Sequence, residues 1–233
     1  MALPVSSAAA PERTIPRLQA GDRLSRAEFE RRYAAMSDVK KAELIEGVVY
    51  MPSPVSTRDH GAPHFALITW LGVYWSRTPG VQGADNATVR LDLDNEPQPD
   101  AFLRLPVEAG GQSRPDEAYV AGAPELIAEV TASSASYDLH DKKNAYRRNG
   151  VREYVVWRTV DRAVDWFFLR EGRFEPLPKA DGLYRSEVFP GLVLDPEALL
   201  RGDMARVLAV LDEGLASPEH AAFVERLRAA GAA

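Results

Sequence analysis

The stretch from Pro124 to Trp157 limits the fold more than any other part of the chain. It opens with PELIAEVT, whose apolar density is that of a central strand covered on both faces. A helical stretch over residues 133–149 follows, closed by Gly150 at its C-cap. A second strand then covers residues 153–157. Strand, helix and strand in that order call for a sheet with helices packed on it.

The remaining elements fit this frame. Ser25 and Glu28 have the spacing of a capping box, which predicts a helix running to about Met36. Residues 42–51, AELIEGVVYM, alternate as a strand crossed by a turn at Glu46-Gly47. His60 to Ser76 reads as a helix, and strands are predicted at 86–93, 98–105, 163–169, 183–186 and 192–194. Residues 108–118, with Gly110, Gly111 and Pro115, read as a surface loop, and helices are predicted at 204–215 and 218–230. The fold class expected is α/β, a mixed sheet flanked by helices. Residues 1–20, rich in Ala, Pro and Ser, read as a flexible arm, 21–200 as the main domain and 201–233 as a helical extension.

Helix 60–76 carries Leu67, Ile68, Leu71 and Trp75 on one face and Trp70, Val73 and Tyr74 on others. A helix apolar all round is buried on two sides. One side meets the sheet; the second predicts a homodimer, with cover by the C-terminal helices as the competing arrangement.

Several function classes are excluded by composition. The chain has no cysteine, which removes thiol nucleophiles, iron–sulfur clusters and Cys-ligated zinc. Its longest apolar run, Ala62 to Trp75, falls short of the roughly 20 residues a membrane span needs. With no signal-peptide pattern at the N-terminus, a cytoplasmic location is expected. A net charge of -6 argues against coating nucleic acid by bulk charge, though not against a local basic surface.

Three acids sit in or beside apolar strands. Glu129 lies within LIAEV, where an unpaired charge would cost several kcal/mol. Asp100 follows Pro99 at a strand start, and Glu46 stands at a turn between apolar segments. Each has a plainer reading: a turn acid for Glu46, a strand-end cap for Asp100, and a partner to a buried arginine for Glu129. Between Lys142 and Arg158 six basic residues face one acid, Glu153. Asp138, Lys142 and Tyr146 share a helix face at i, i+4 and i+8. Converging carboxylates raise each other's pKa unless a cation is present, and an oxygen-only set suits Mg²⁺ or Mn²⁺. Acids, a lysine and a basic surface together point to phosphodiester hydrolysis.

At these residues the chain resembles the Uma-type (Uma-two) family of putative restriction endonucleases, within the PD-(D/E)XK nuclease superfamily. The resemblance rests on Glu46-Gly47, Pro52-Ser53-Pro54 with His60, Pro99-Asp100, the run from Ala123 to Trp157, and SEVFPGL from Ser186, and spans about residues 24–200. It implies a restriction-endonuclease-like core acting on DNA with Mg²⁺ or Mn²⁺. It assigns metal binding to Asp100, Glu129 and the Val130 carbonyl, with Glu46 completing the site. Thr131 stands where the superfamily carries its lysine, and the resemblance places that role on Lys142, with Lys143 competing. His60, Asp138 and Tyr146 are supporting or substrate-binding candidates. The alternative is a nuclease fold that no longer cleaves and acts as a nucleic-acid-binding or interaction module.

Overall fold

A computed structural model describes residues 14–51, 56–132 and 138–231, with the backbone alone at 138 and 139. Most of the expected arm, the Pro52-Ser53-Pro54 motif and the Asp138 side chain therefore lie outside the described residues.

Helix α1 (Arg26–Ala34) leads into a hairpin of β1 (Glu43–Ile45) and β2 (Val48–Tyr50). The hairpin turns at Glu46 and Gly47, both with positive φ (52° and 72°), as a two-residue type I′ connection requires. Phe29 of α1 packs with Leu44 and Val49 in a small apolar cluster. A π-helical turn (Thr57–Gly61), capped by Ser56, runs into α2 (Ala62–Arg77).

Strands β3 (Gln82–Asp85), β5 (Ala101–Arg104), β8 (Leu126–Thr131), β9 (Glu153–Arg158), β10 (Ala163–Arg170) and β11 (Arg173–Pro176) form the main sheet, with β4 (Val89–Arg90), β6 (Arg114–Asp116) and β7 (Tyr119–Ala121) in a separate three-stranded one. The main sheet runs β11-β10-β9-β8-β5-β3, with β8 and β9 parallel and every other pair antiparallel. A second π-helical turn (Asp138–Lys142) and α3 (Lys143–Asn149) cross between the parallel pair. The chain ends with β12 (Tyr184–Arg185), β13 (Val193–Leu194), α4 (Pro196–Leu200), α5 (Met204–Leu215) and α6 (Pro218–Gly231).

The α/β architecture is as expected, but several elements differ. Residues 86–93 hold only the two-residue β4, while the edge strand of the main sheet is β3, QGAD, whose largely exposed pattern gives no apolar signal. The stretch expected as a loop at 108–118 contains β6, which hairpins with β7. Strand β11 and helix α4 are additional to the expected elements; the first is a short, mostly exposed strand, RFEP, paired with residues 167–170 of β10, and the second is a five-residue helix capped by Asp195.

Period two splits the strands between two cores. Leu126, Ala128 and Val130 face α2, α5 and α6, whereas Ile127 faces Tyr146 of α3. On α2 the buried residues are Leu67, Trp70, Leu71 and Tyr74, while Trp75 is half-exposed. Trp70 donates to the Val193 carbonyl at 2.9 Å and Tyr74 to that of Pro190 at 3.0 Å. Val207, Leu211, Phe223 and Leu227 of the C-terminal helices join the same cluster. The residues expected to call for a second subunit are thus covered within one chain, which removes the basis of the dimer expectation.

Glu153, fully buried at the head of β9, accepts hydrogen bonds from Ser186 Oγ, Glu187 N and Val188 N at 2.7, 2.7 and 3.2 Å. Burial outweighs these donors and pushes its carboxyl up to about 7. The folded state then holds a proton that the unfolded state releases near pH 4.5, so stability falls as pH rises from there through 7. Glu153→Gln is expected to flatten that slope, worth about 3 kcal/mol across the window. Urea melts between pH 4.5 and 7.5 measure it.

Candidate active site

Two neighbouring strands bring the first pair of acids together. Ala101 pairs with Ala128 and Phe102 with Ile127 in antiparallel register, which sets Asp100 opposite Glu129 and on the same face. That face is the one turned to α3, since Phe102 and Ile127 both pack with Tyr146. Both acids are 3% exposed. Their burial is matched by partners. Glu129 Oε1 accepts from Lys142 Nζ at 2.9 Å and from the Tyr146 hydroxyl at 2.9 Å, while Oε2 faces the Asp100 amide at 3.3 Å. Asp100 Oδ2 accepts from Val130 N at 2.8 Å and lies 3.2 Å from His60 Nε2.

Lys142 bridges two carboxylates. Its Nζ also lies 3.0 Å from Glu43 Oε1, and Glu43, itself buried, accepts from the Gln98 amide at 2.7 Å. Asp100, Glu129, Lys142 and Tyr146 therefore meet, joined by His60 and Val130. Lys143 points elsewhere, its Nζ 3.2 Å from the centroid of the Phe167 ring. Glu46 does not join them. It occupies the hairpin tip, where its carboxylate pairs with Arg148 at 2.7 Å, and Glu43 is the acid that β1 turns inward. Of the six basic residues expected to form a charged surface, Arg147 caps the Gly172 carbonyl at 3.0 Å, Arg148 holds Glu46, and Arg158 holds Asp161 and Asp165.

Both π-helical turns supply site residues, His60 from the first and Lys142 from the second. Such turns widen the helix locally and recur at functional sites. Around the cluster lies a less buried ring. Lys41 Nζ is 3.2 Å from Asn86 Oδ1 and 3.9 Å from Asp100 Oδ1. His64 Nε2 lies 3.1 Å from Asp85 Oδ1 and 3.3 Å from the Asp100 carbonyl.

Burial alone would push the Asp100 carboxyl up, but the His60 ring, the Val130 amide and Lys41 together hold it below its ordinary value. The hydrogen bond that His60 donates to Asp100 in turn raises the imidazole pKa, against the opposing effect of burial. For the depressed acid, the pair's stability is present above the unfolded carboxyl pKa and lost as pH falls through the folded one. For the raised base it is present below the unfolded imidazole pKa and lost as pH rises through the folded one. The pair is therefore strongest between about pH 4 and 6.5. Asp100→Asn should return His60 toward its ordinary pKa, read by NMR titration of its ring protons in EDTA.

The donor set suits a hard cation. Asp100 and Glu129 present carboxylate oxygens side by side, and Mg²⁺ is commonly held by one or two carboxylates with waters completing the shell. Among the described residues no group of three or more His, Asp or Glu side chains is arranged to hold a metal. Water or substrate oxygens would therefore have to supply the other ligands. Among the described residues no helix is long and apolar enough to cross a membrane.

Residues 26–197 match the sequence profile of the Uma2 family, described as "Putative restriction endonuclease". Among solved structures the chain resembles a putative nuclease belonging to DUF820 from Anabaena variabilis ATCC 29413, with 12% identity and a TM-score of 0.52. The match covers 78% of this chain and 97% of that one, and at this identity it shows a shared fold. No curated protein gives a significant match.

Proposed function

Since the chain belongs to the Uma2 family of putative restriction endonucleases, we propose that it is a divalent-metal-dependent nuclease hydrolysing DNA phosphodiester bonds, with Asp100 and Glu129 as its metal-holding acids. The observation that carries this is the opposed placement of Asp100 and Glu129 on neighbouring strands, with Lys142 and Tyr146 both on Glu129 Oε1. A bound Mg²⁺ or Mn²⁺ would stabilise charge on the phosphate oxygens and lower the pKa of an attacking water.

The chain's own groups orient the acids. Lys142 and Tyr146 hold one oxygen of Glu129, which fixes the rotation of its carboxylate. Val130 N and His60 hold one oxygen of Asp100, leaving the other toward Lys41. The Val130 carbonyl remains the candidate backbone ligand. Lys142, pinned between Glu43 and Glu129, supplies the positive charge that both buried carboxylates face.

Supercoiled plasmid with Mg²⁺ or Mn²⁺ tests the reading. Wild type should nick or linearise it, and Glu129→Gln and Asp100→Asn should each lose more than about 100-fold, beyond the cost typical of disturbing a metal's outer partners. Circular dichroism checks that both variants fold. No cleavage by well-folded wild type with either metal would overturn the proposal in favour of the non-cleaving module.

A further inference from the structure

A cation that meets a polyanionic substrate has to be reachable. The Lys142 side chain is 4% exposed and lies between two carboxylates at 2.9 and 3.0 Å, so its charge is already offset. Drawing it out toward a phosphate would take the shared cation from two buried carboxylates, Glu43 and Glu129, which is strongly unfavourable. Along the following helix and strand, Lys143, Arg147, Arg148 and Arg158 are engaged with Phe167, Gly172, Glu46 and the Asp161–Asp165 pair.

Lys41 is placed differently. It stands just before β1, its side chain is 27% exposed, and it lies on the less buried side of Asp100. Asn86 holds it there. That residue closes β3 in a left-handed conformation (φ 49°), its amide N–H donates to the Asp100 carbonyl at 3.3 Å, and its side-chain amide is shared between Lys41 and Asp85. An ammonium has three donors. Asn86 takes one, and Asp100 Oδ1 at 3.9 Å is beyond hydrogen-bond reach, so donors remain for a phosphate oxygen. His60 and His64, with side chains 24% and 17% exposed and rings stacked at 5.6 Å, lie against the same residue, His60 on Asp100 Oδ2 and His64 on its carbonyl.

We propose that Lys41, rather than Lys142, is the residue that contacts the substrate's phosphate, at a rim formed with His60 and His64, while Lys142 positions Glu43 and Glu129 beneath it. The proposal rests on the nuclease reading and names the residue through which a nucleic-acid backbone enters that site. Each lysine–phosphate contact releases a counterion and steepens the dependence of binding on salt by about 0.9 in log K against log salt.

The test is fluorescence anisotropy of a short labelled DNA duplex against the full chain over a salt series, with Ca²⁺, a hard cation that takes the same oxygen donors, replacing Mg²⁺. Lys41→Gln should weaken binding and lower the slope by about 0.9. Lys41→Arg should restore the slope, and Lys179→Gln, which removes an ammonium lying over the Tyr184 ring of β12, should leave it unchanged. An unaltered slope for folded Lys41→Gln, with wild type binding and cleaving DNA, overturns this proposal alone. A wild type that neither binds nor cleaves DNA overturns the nuclease reading and this one with it.

Discussion

Lys142→Met is expected to cost about 3–5 kcal/mol at neutral pH, the loss typical of stripping one partner from a buried ion cluster. The ammonium sits 2.9 Å from Glu129 and 3.0 Å from Glu43, and all three residues are at most 5% exposed. Methionine fills similar volume but supplies no charge, so two carboxylates remain inside with no cation between them. Without the cation the charged forms are disfavoured, so these carboxyls take up protons more readily in the folded variant than in the unfolded chain. The variant should therefore lose more stability at pH 8 than at pH 5 relative to wild type. Adding Glu129→Gln to Lys142→Met should recover part of the loss, because one buried charge disappears. Urea melts of the single and double variants at both pH values decide it. A loss below about 1 kcal/mol, independent of pH, would mean that solvent reaches the cluster and that the burial argument fails.

The same cluster shows how far residue patterns alone reach. Glu129 and Asp100 are legible because an acid within or heading an apolar strand has to be accounted for, and strand register then makes them neighbours. Lys142 and Tyr146 follow from helical spacing, although a π-helical turn that no spacing announces delivers Lys142. Glu43 is hidden by its neighbour Glu46. The two stand three residues apart in AELIEGV, and the acid before glycine looks the more exceptional. The hairpin turn decides otherwise: Glu-Gly at a two-residue tip takes positive φ at both positions and faces outward, while Glu43, inside β1, is turned in. An acid in an apolar strand is also not specific to chemistry. Glu125 accepts from the Leu105 and Gln112 amides at 2.7 and 2.8 Å, and Glu153 ties down the 186–188 segment. Both are buried acids that satisfy loop backbone. Only the tertiary partners separate them from Glu129, whose neighbours are a lysine, a tyrosine and a second strand acid.

Trp70→Ala should be the most damaging apolar truncation on α2, costing about 3–5 kcal/mol through the cavity it leaves. The side chain is fully buried, packs edge-on against Trp166 with ring centroids 5.8 Å apart, and donates to the Val193 carbonyl at 2.9 Å. Its removal also takes the side-chain donor from that carbonyl. The apolar periodicity of α2 points to Trp75 as the core residue and to Trp70 as a contact between subunits. The structure reverses the two, because residues 189–193 and helix α5 fold back over the Trp70 side and leave Trp75 51% exposed. A helix apolar all round does need two partners, but periodicity cannot say whether the second comes from the same chain. Trp75→Ala is therefore expected to stay within about 1 kcal/mol of wild type. Urea melts of the two variants side by side check the ranking, and near-UV circular dichroism reports the lost Trp70–Trp166 contact. Equal stability of the two would mean that the C-terminal helices do not hold the Trp70 side closed in solution, and sedimentation would then show whether a second copy covers it.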